Sequence, residues 1–348
     1  MKLNFCTLFD SNYLSRGMAM YHSLSSHCPD FHLYVFAFDD RSCQFLKEQD
    51  YPGLTVISLS EFENEALLKI KPTRTPAEYC WTCTPSTIWY AIQRFNLDNC
   101  TYVDADLYFF SDPNMLVNEM GNKSVLITEH RYSPAYDQSA SSGKYCVQFM
   151  TFKNNPGGME VLSWWKEACI EWCFNRFEDG KFGDQKYLDD WLTRFSCVHN
   201  LQHLGGGVAP WNVQQYEFLS QNNEIRGKEI STGKIFDVVF FHFHGTKFFS
   251  DNMVYLTYTE YDLTKQVIDV FYKPYIRAIE KVNRQMKSAG ITFDPNGAKT
   301  TSPWGKMGMK MKLYYYLKDL KASLKNITGK NLRFRMDHHY YYSVNDLL

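Results

Sequence analysis

The chain has almost no net charge. Its 37 Lys and Arg stand against 38 Asp and Glu, leaving −1 over 348 residues, so no global field draws it to nucleic acid. The opening residues "MKLNFCTLFD" lack the longer apolar core of a secretory signal. No run approaches the ~18 apolar residues needed to cross a bilayer. Internal repeats and low-complexity tracts are also missing. The ten cysteines are scattered, and "CWTC" at 80–83 has no second C-x-x-C pair or following C-H, which disfavours zinc or redox chemistry there. They read as reduced, mostly buried thiols, and with no signal this predicts a cytoplasmic protein. Aromatic residues, by contrast, are plentiful at 17%, enough for a large core, stacking sites or an amphipathic surface.

The N-terminal half alternates between two periodicities. "LNFCTLF" (3–9), "FHLYVFAFDD" (31–40) and "LTVISLS" (54–60) read as strands. "YLSRGMAMYHSLSSH" (13–27), "RSCQFLKEQD" (41–50) and, after Pro85, "STIWYAIQRFNL" (86–97) read as helices. This β-α order predicts a mostly parallel sheet flanked by helices, with ligands beyond the carboxyl ends of the strands. Further on, 124–130, 145–153 and 237–245 are strand-like. Residues 158–177 and 183–195 are helical, and 263–287 is a helix interrupted at Pro274. Turn formers at 288–303 mark a boundary between a catalytic domain, 1–287, and a basic, aromatic C-terminal extension, 288–348.

Four stretches carry candidate chemistry. In "TYVDADLYFF" (101–110), Asp104 and Asp106 end an apolar strand. In extended chain they point to one side, and paired carboxylates suit Mg2+ or Mn2+. A turn cap with a solvated partner fits the same letters. "FFHFHGTK" (240–247) places His242 and His244 on one face of a strand, before Gly245 and the mobile charge of Lys247. "TLFDSNYL" (7–14) suits either a capped helix start or a nucleotide-base pocket in which Asp10 and Asn12 bond polar edges and Tyr13 stacks. "GDQKYLDDW" (183–191) is either a capped helix with a solvated acidic face or a site drawing on Asp184, Gln185, Asp189 and Asp190.

Taken together and in order, these segments resemble retaining glycosyltransferases of the glycogenin and lipopolysaccharide galactosyltransferase type (family 8-like) over about residues 3–250. The resemblance implies a GT-A fold, a divalent metal (Mn2+, or Mg2+) and a UDP-sugar donor. "TLFDSNYLSRG" then corresponds to the nucleotide-binding first strand and turn, so Thr7, Asp10, Asn12 and Tyr13 meet the uridine. Asp104 and Asp106 form the D-x-D motif. Asp184 and Gln185 lie near the transferred sugar. "HFHGTK" aligned on Gly245 makes His242 the third metal ligand and Lys247 the diphosphate contact. Lys247 comes one residue early, and the basic residue expected in the helix before D-x-D has no clear counterpart beyond Arg74 or Arg94. "YCVQFMTFK" replaces the family's Asn-Ala-Gly or Asn-Ser-Gly segment, which leaves the donor sugar open.

The implied reaction moves a hexose from a UDP-sugar to a glycan or lipid-linked acceptor with retention. Rival readings are a catalytically idle sugar-nucleotide binder, a sugar nucleotidyltransferase, which the lack of a Gly-rich basic loop after the first strand disfavours, and a metal hydrolase on "HFHG". Residues 299–335 hold ten Lys or Arg against the single acid Asp319, interleaved with Tyr and Met. This predicts peripheral contact with an anionic membrane surface at the cytoplasmic face.

Overall fold

Four apolar strands set the frame of the computed structural model, which describes residues 2–221, 224–258, 260–314, 317 and 340–348. β1 (Leu3–Phe9), β2 (Phe31–Ala37), β3 (Leu54–Ser58) and β4 (Asn99–Val103) run parallel in the order β3-β2-β1-β4. Their near-continuous apolar letters reflect burial on both faces. In β1, Leu3, Phe5 and Phe9 enter one core layer, while Cys6 and Leu8 enter the other. β7 (Tyr145–Lys153) adds antiparallel to β4. β6 (Val125–Glu129) pairs antiparallel with β7, and β8 (Val198–Asn200) pairs parallel with β6. All strands but β7 therefore share one direction, giving the mostly parallel sheet flanked by helices that the sequence implies.

Helix α1 (Leu14–His27) covers one face, and α2 (Asp40–Gln49) links β2 to β3. The helix before β4 differs from expectation. It starts at Pro76, not after Pro85, and runs 20 residues to Phe95. A capping box explains the early start: Thr75 accepts from the Glu78 N–H, and Glu78 accepts from the Thr75 N–H at 2.8 Å. Pro85 removes a single backbone donor from an otherwise buried helix, and packing outweighs that loss. "CWTC" thus lies inside this helix, where burial pushes the Cys80 thiol up to about 12.

Other boundaries also move. The helix expected over 158–177 is Pro156–Glu171, because Trp172 turns extended. The segment 183–195 is a short 3-10 turn, Lys186–Asp190, followed by Trp191–Arg194. Pro274 does not break its helix. A π-helical turn at Ile268–Tyr272 leads directly into Lys273–Ser288, and the wider turn accommodates a residue with no N–H.

Beyond residue 288 the chain returns to the body. Pro295 and Asn296 accept bonds from α1, and the Ser302 hydroxyl donates to Asp251. Strand Tyr341–Ser343 pairs with Met253–Tyr255, and Tyr340, Val344 and Leu347 are buried in the main core. Of the basic stretch 299–335, residues 315, 316 and 318–335 lie outside the described residues. Among the described residues no helix is long and apolar enough to cross a membrane.

Candidate functional site

Two strands bring the site together. β5 (Leu107–Phe109) pairs antiparallel with strand Phe240–His242, placing Leu107 opposite His242. The Phe243 N–H then donates to the Asp106 carbonyl at 3.0 Å. On the other side, Phe240 and Phe241 pair with β9 (Gly206–Val208). This register carries His242 to the carboxyl end of β4, where the chain turns through Asp104, Ala105 and Asp106. The two carboxylates thus converge through a turn, in which the Leu107 N–H reaches the Asp104 carbonyl at 3.2 Å, and not along an extended strand.

His242 Nε2 lies 3.2 Å from Asp106 and 3.8 Å from Asp104. These three residues are the group with metal-binding spacing among the described residues; their ligand atoms lie within 4.8 Å of one another. The opposite ring nitrogen, Nδ1, donates to the Gln148 Oε1 at 2.7 Å. That bond fixes the ring and turns Nε2 towards the carboxylates, the orientation a metal-binding imidazole needs. Gln148 also holds the turn, since its carbonyl accepts from the Asp104 N–H at 3.1 Å. The Tyr102 hydroxyl donates to Asp104 at 3.0 Å. Two hard oxygen ligands and an oriented nitrogen fit a divalent cation.

The charges favour one too. Burial raises the Asp104 carboxyl to about 6, against the opposing pull of His242. Burial also works against an ionised Asp106, but the His242 charge outweighs it and holds that carboxyl down at about 2. Burial acts to lower His242 as well, yet Asp106 prevails and holds its proton well above the ordinary range. Without metal, the cluster is an imidazolium clamped by carboxylates. A cation replaces that proton as the positive partner. His244 stands outside the group. It packs against Trp211 and Tyr258, and burial lowers it to about 4.

The remaining candidates surround this centre unevenly. Asp10 closes a turn, accepting from the Asn12 N–H at 2.9 Å and its side-chain amide at 2.6 Å. Tyr13 is 41% exposed, with the Arg16 guanidinium 4.3 Å over its ring. Thr7 is fully buried inside β1, two residues short of the strand end. Lys247 is exposed beyond Gly245, whose φ of +82° and closeness to Tyr258 (an added Cβ would sit 2.9 Å from it) admit only glycine. Asp184 is buried and near enough to Asp104 for that charge, after burial itself, to raise it to about 8. The Gln185 side chain donates to the Ser142 carbonyl at 2.7 Å.

Sequence reasoning missed three residues. Gln148 sat in a segment read only as a departure from a motif. Trp211 packs edge-on against both His242 and His244. Arg16 is the buried cation near the centre, 3% exposed, and its charge helps to hold Asp106 down. Its guanidinium donates to the carbonyls of Asn12, Thr246 and Asn296. Among the described residues no carboxylate comes within ion-pair distance of it. Arg74 instead reaches Ile170 and stacks on Phe174, and Arg94 lies over Phe95.

No protein-family model matches the chain. Over 259 residues it is 30% identical to the uncharacterized protein YfnF of Bacillus subtilis (strain 168), spanning 72% of this chain and 84% of YfnF. The chain belongs to the YfnF family. The B. subtilis protein YfnD, also uncharacterized, is 29% identical over 297 residues, 83% of this chain and 93% of YfnD. Among solved structures, the Streptococcus pneumoniae glycosyltransferase GlyE matches 60% of this chain at 15% identity and a TM-score of 0.38; the chain spans under half of GlyE, 47%. The galactosyltransferase LgtC, solved with donor and acceptor sugar analogues, matches 57% of this chain and 73% of its own at 11% identity, TM-score 0.37. Mouse xyloside xylosyltransferase 1 matches 58% and 85% at 11% identity, TM-score 0.38. At these scores the likenesses assign no role to any residue of this member of the YfnF family.

Proposed function

We propose that the chain is a metal-dependent glycosyltransferase that moves a hexose from a UDP-sugar to a glycan or lipid-linked acceptor with retention of configuration. The observation that carries this reading is the convergence of Asp104, Asp106 and His242 at the carboxyl end of β4, where open α/β sheets bind ligands.

A divalent ion, Mn2+ or Mg2+, supplies Lewis-acid charge for a departing diphosphate. Asp104 and Asp106 hold it, and Gln148 keeps the His242 ring turned to complete the set. Lys247 adds a positive contact where charge grows on the leaving group. Asp10 and Asn12 take the polar edges of the uridine. Tyr13, backed by Arg16 on one face, offers the other to uracil. Asp184 and Gln185 border the transferred sugar. The acceptor hydroxyl attacks from the side that the diphosphate vacates and passes its proton to a diphosphate oxygen, so no separate strong base is required. The exposed Met309, Met311, Leu313 and Leu317, beside Lys310, suit contact with an anionic membrane surface at the cytoplasmic face, where a lipid-linked acceptor would lie.

A thermal-shift panel with UDP, GDP, CMP and ADP, each with and without Mn2+, tests the site directly. UDP is expected to raise Tm only with Mn2+, and Asp104→Ala to abolish the rise. If no nucleotide shifts Tm with any metal, an idle or hydrolytic fold replaces this reading.

A further inference from the structure

A cavity lies at the same end of the sheet as Asp104, Asp106 and His242. Its volume is about 480 Å3, and its walls are the end of β6, the loop 131–144 and Asp189. β6 runs parallel to β4, so Glu129 marks the carboxyl end of β6 much as Asp104 marks that of β4. A chain of aromatic contacts links the cavity lining to His242 of the metal centre. The Tyr132 ring stacks on His130 at 4.6 Å and 12°, His130 meets Trp211 at 5.2 Å, and Trp211 meets His242 at 5.4 Å. The loop is also tied to the 184–189 segment. Gln185 donates to the Ser142 carbonyl at 2.7 Å, Lys186 to the Ser139 carbonyl at 2.8 Å, and the Lys144 N–H to Asp189 at 2.7 Å.

The lining selects a ligand class. Three carboxylates are held in place by protein donors: Glu129 by Asn200 at 3.2 Å, Asp137 by the Ser139 N–H at 2.9 Å, and Asp189 by the Lys144 N–H and the Lys186 ammonium, both at 2.7 Å. Each carboxylate keeps acceptor capacity, because its two oxygens offer about four lone-pair sites. The Arg131 guanidinium donates from Nη1 and Nη2 to the carbonyls of Leu201, His203 and Leu204, and the Lys144 ammonium lies 3.7 Å from Glu129. The lining carboxylates Glu129, Asp137 and Asp189 outnumber the lining cations Arg131 and Lys144, and Lys144 and Lys186 already face Glu129 and Asp189, which disfavours a phosphate or nucleotide. An apolar ligand would strand these charges away from water. Fixed acceptors beside an aromatic ring suit a molecule rich in hydroxyl donors and carrying no charge.

We propose that this cavity is the subsite for a neutral, hydroxyl-rich sugar residue of the acceptor glycan. The assignment to an acceptor rests on the transferase reading; the assignment to a sugar rests on the cavity alone. Ala140 is exposed on its rim, so Ala140→Trp fills the space. Asp137→Ala removes one exposed acceptor. Neither residue belongs to the metal or nucleotide set. Saturation-transfer NMR with methyl glucoside, methyl galactoside and methyl N-acetylglucosaminide reads binding on the full chain. At least one glycoside is expected to bind the wild type, to lose its signal in Ala140→Trp, and to bind about tenfold more weakly in Asp137→Ala, the scale of one charge-assisted hydrogen bond. The UDP–Mn2+ melting shift stays unchanged in both variants. No signal in the wild type, or equal signals in all three proteins, overturns the subsite. An absent UDP–Mn2+ shift alongside a signal lost in Ala140→Trp overturns the transferase reading and leaves a sugar site.

Discussion

One buried glutamine decides how well the His242 imidazole is presented. Gln148 uses its Oε1 on His242 and its carbonyl on Asp104, while its own side-chain N–H2 finds no partner. Gln148→Leu keeps the backbone contact and removes the orphaned donor but strands the buried His242 Nδ1–H, so Tm is expected to fall only modestly. Mn2+ affinity should fall by about 10- to 100-fold, the usual cost of losing the group that orients a metal-bound imidazole; titration calorimetry checks it, and unchanged affinity would show that the ring needs no such partner. Asp184 gives a pH signature. Its carboxyl stands at about 8 in the fold, against about 3.9 in an unfolded chain. The fold therefore favours the neutral form, and the stability it contributes is complete below the unfolded value and lost as pH rises towards 8. Asp184→Asn, uncharged throughout, is expected to melt above wild type at pH 8 in EDTA. The gap should close by about pH 4–5; a gap independent of pH would mean that Asp184 is ionised throughout.

Element ends proved harder to read than elements. β1 and β7 match their apolar letters residue for residue, because burial on both faces leaves an unbroken signal. The helix Pro76–Phe95 was cut short in the sequence because Pro85 is a helix breaker in isolation and not when both flanks are packed. Strand Phe240–His242 is shorter than its apolar run, since the residues around it are buried in a core and not in a ladder. Loops tie elements in ways that spacing cannot reveal. Asp39 caps α2 through the Ser42 N–H at 2.8 Å and also accepts from the Ser11 N–H and hydroxyl at 3.0 and 2.5 Å. It thereby fastens the loop of Asp10–Tyr13 to α2. Asp39→Ala is expected to destabilise the protein by about 1–3 kcal/mol, a lost cap plus bonds to a carboxylate. It should also weaken the UDP–Mn2+ shift beyond what lower Tm explains. A denaturant titration gives the first quantity and the thermal panel the second.

The whole molecule is closed by residues far apart in sequence. Arg16 joins Asn12, Thr246 and Asn296. Gly297, at φ +69°, approaches Asn12 so closely that a Cβ would lie 2.9 Å from it. Arg16→Met leaves the three carbonyls without their shared donor, a loss on the order of 3 kcal/mol. Amide exchange is expected to quicken together around 12, 246 and 296, whereas quickening at one segment alone would deny the coupling. Ending the chain at residue 287 removes this strap and exposes the contacts of Tyr340, Val344 and Leu347. Those three buried side chains are worth about 2 kcal/mol each, so Tm should drop by many degrees in a calorimetric scan. Length, apolar runs and the β-α order were enough to determine the parallel sheet, because local periodicity reports burial. The same letters flagged Asp104, Asp106 and the pair His242 and His244, since carboxylates and histidines inside apolar runs stand out, while the choice of His242 came only from the family resemblance. What only tertiary structure decided was how they meet. A turn, an antiparallel register between residues 107 and 242, a glutamine on β7 and an arginine on α1 converge from four places. No spacing along one chain encodes a distance between segments 40 to 230 residues apart.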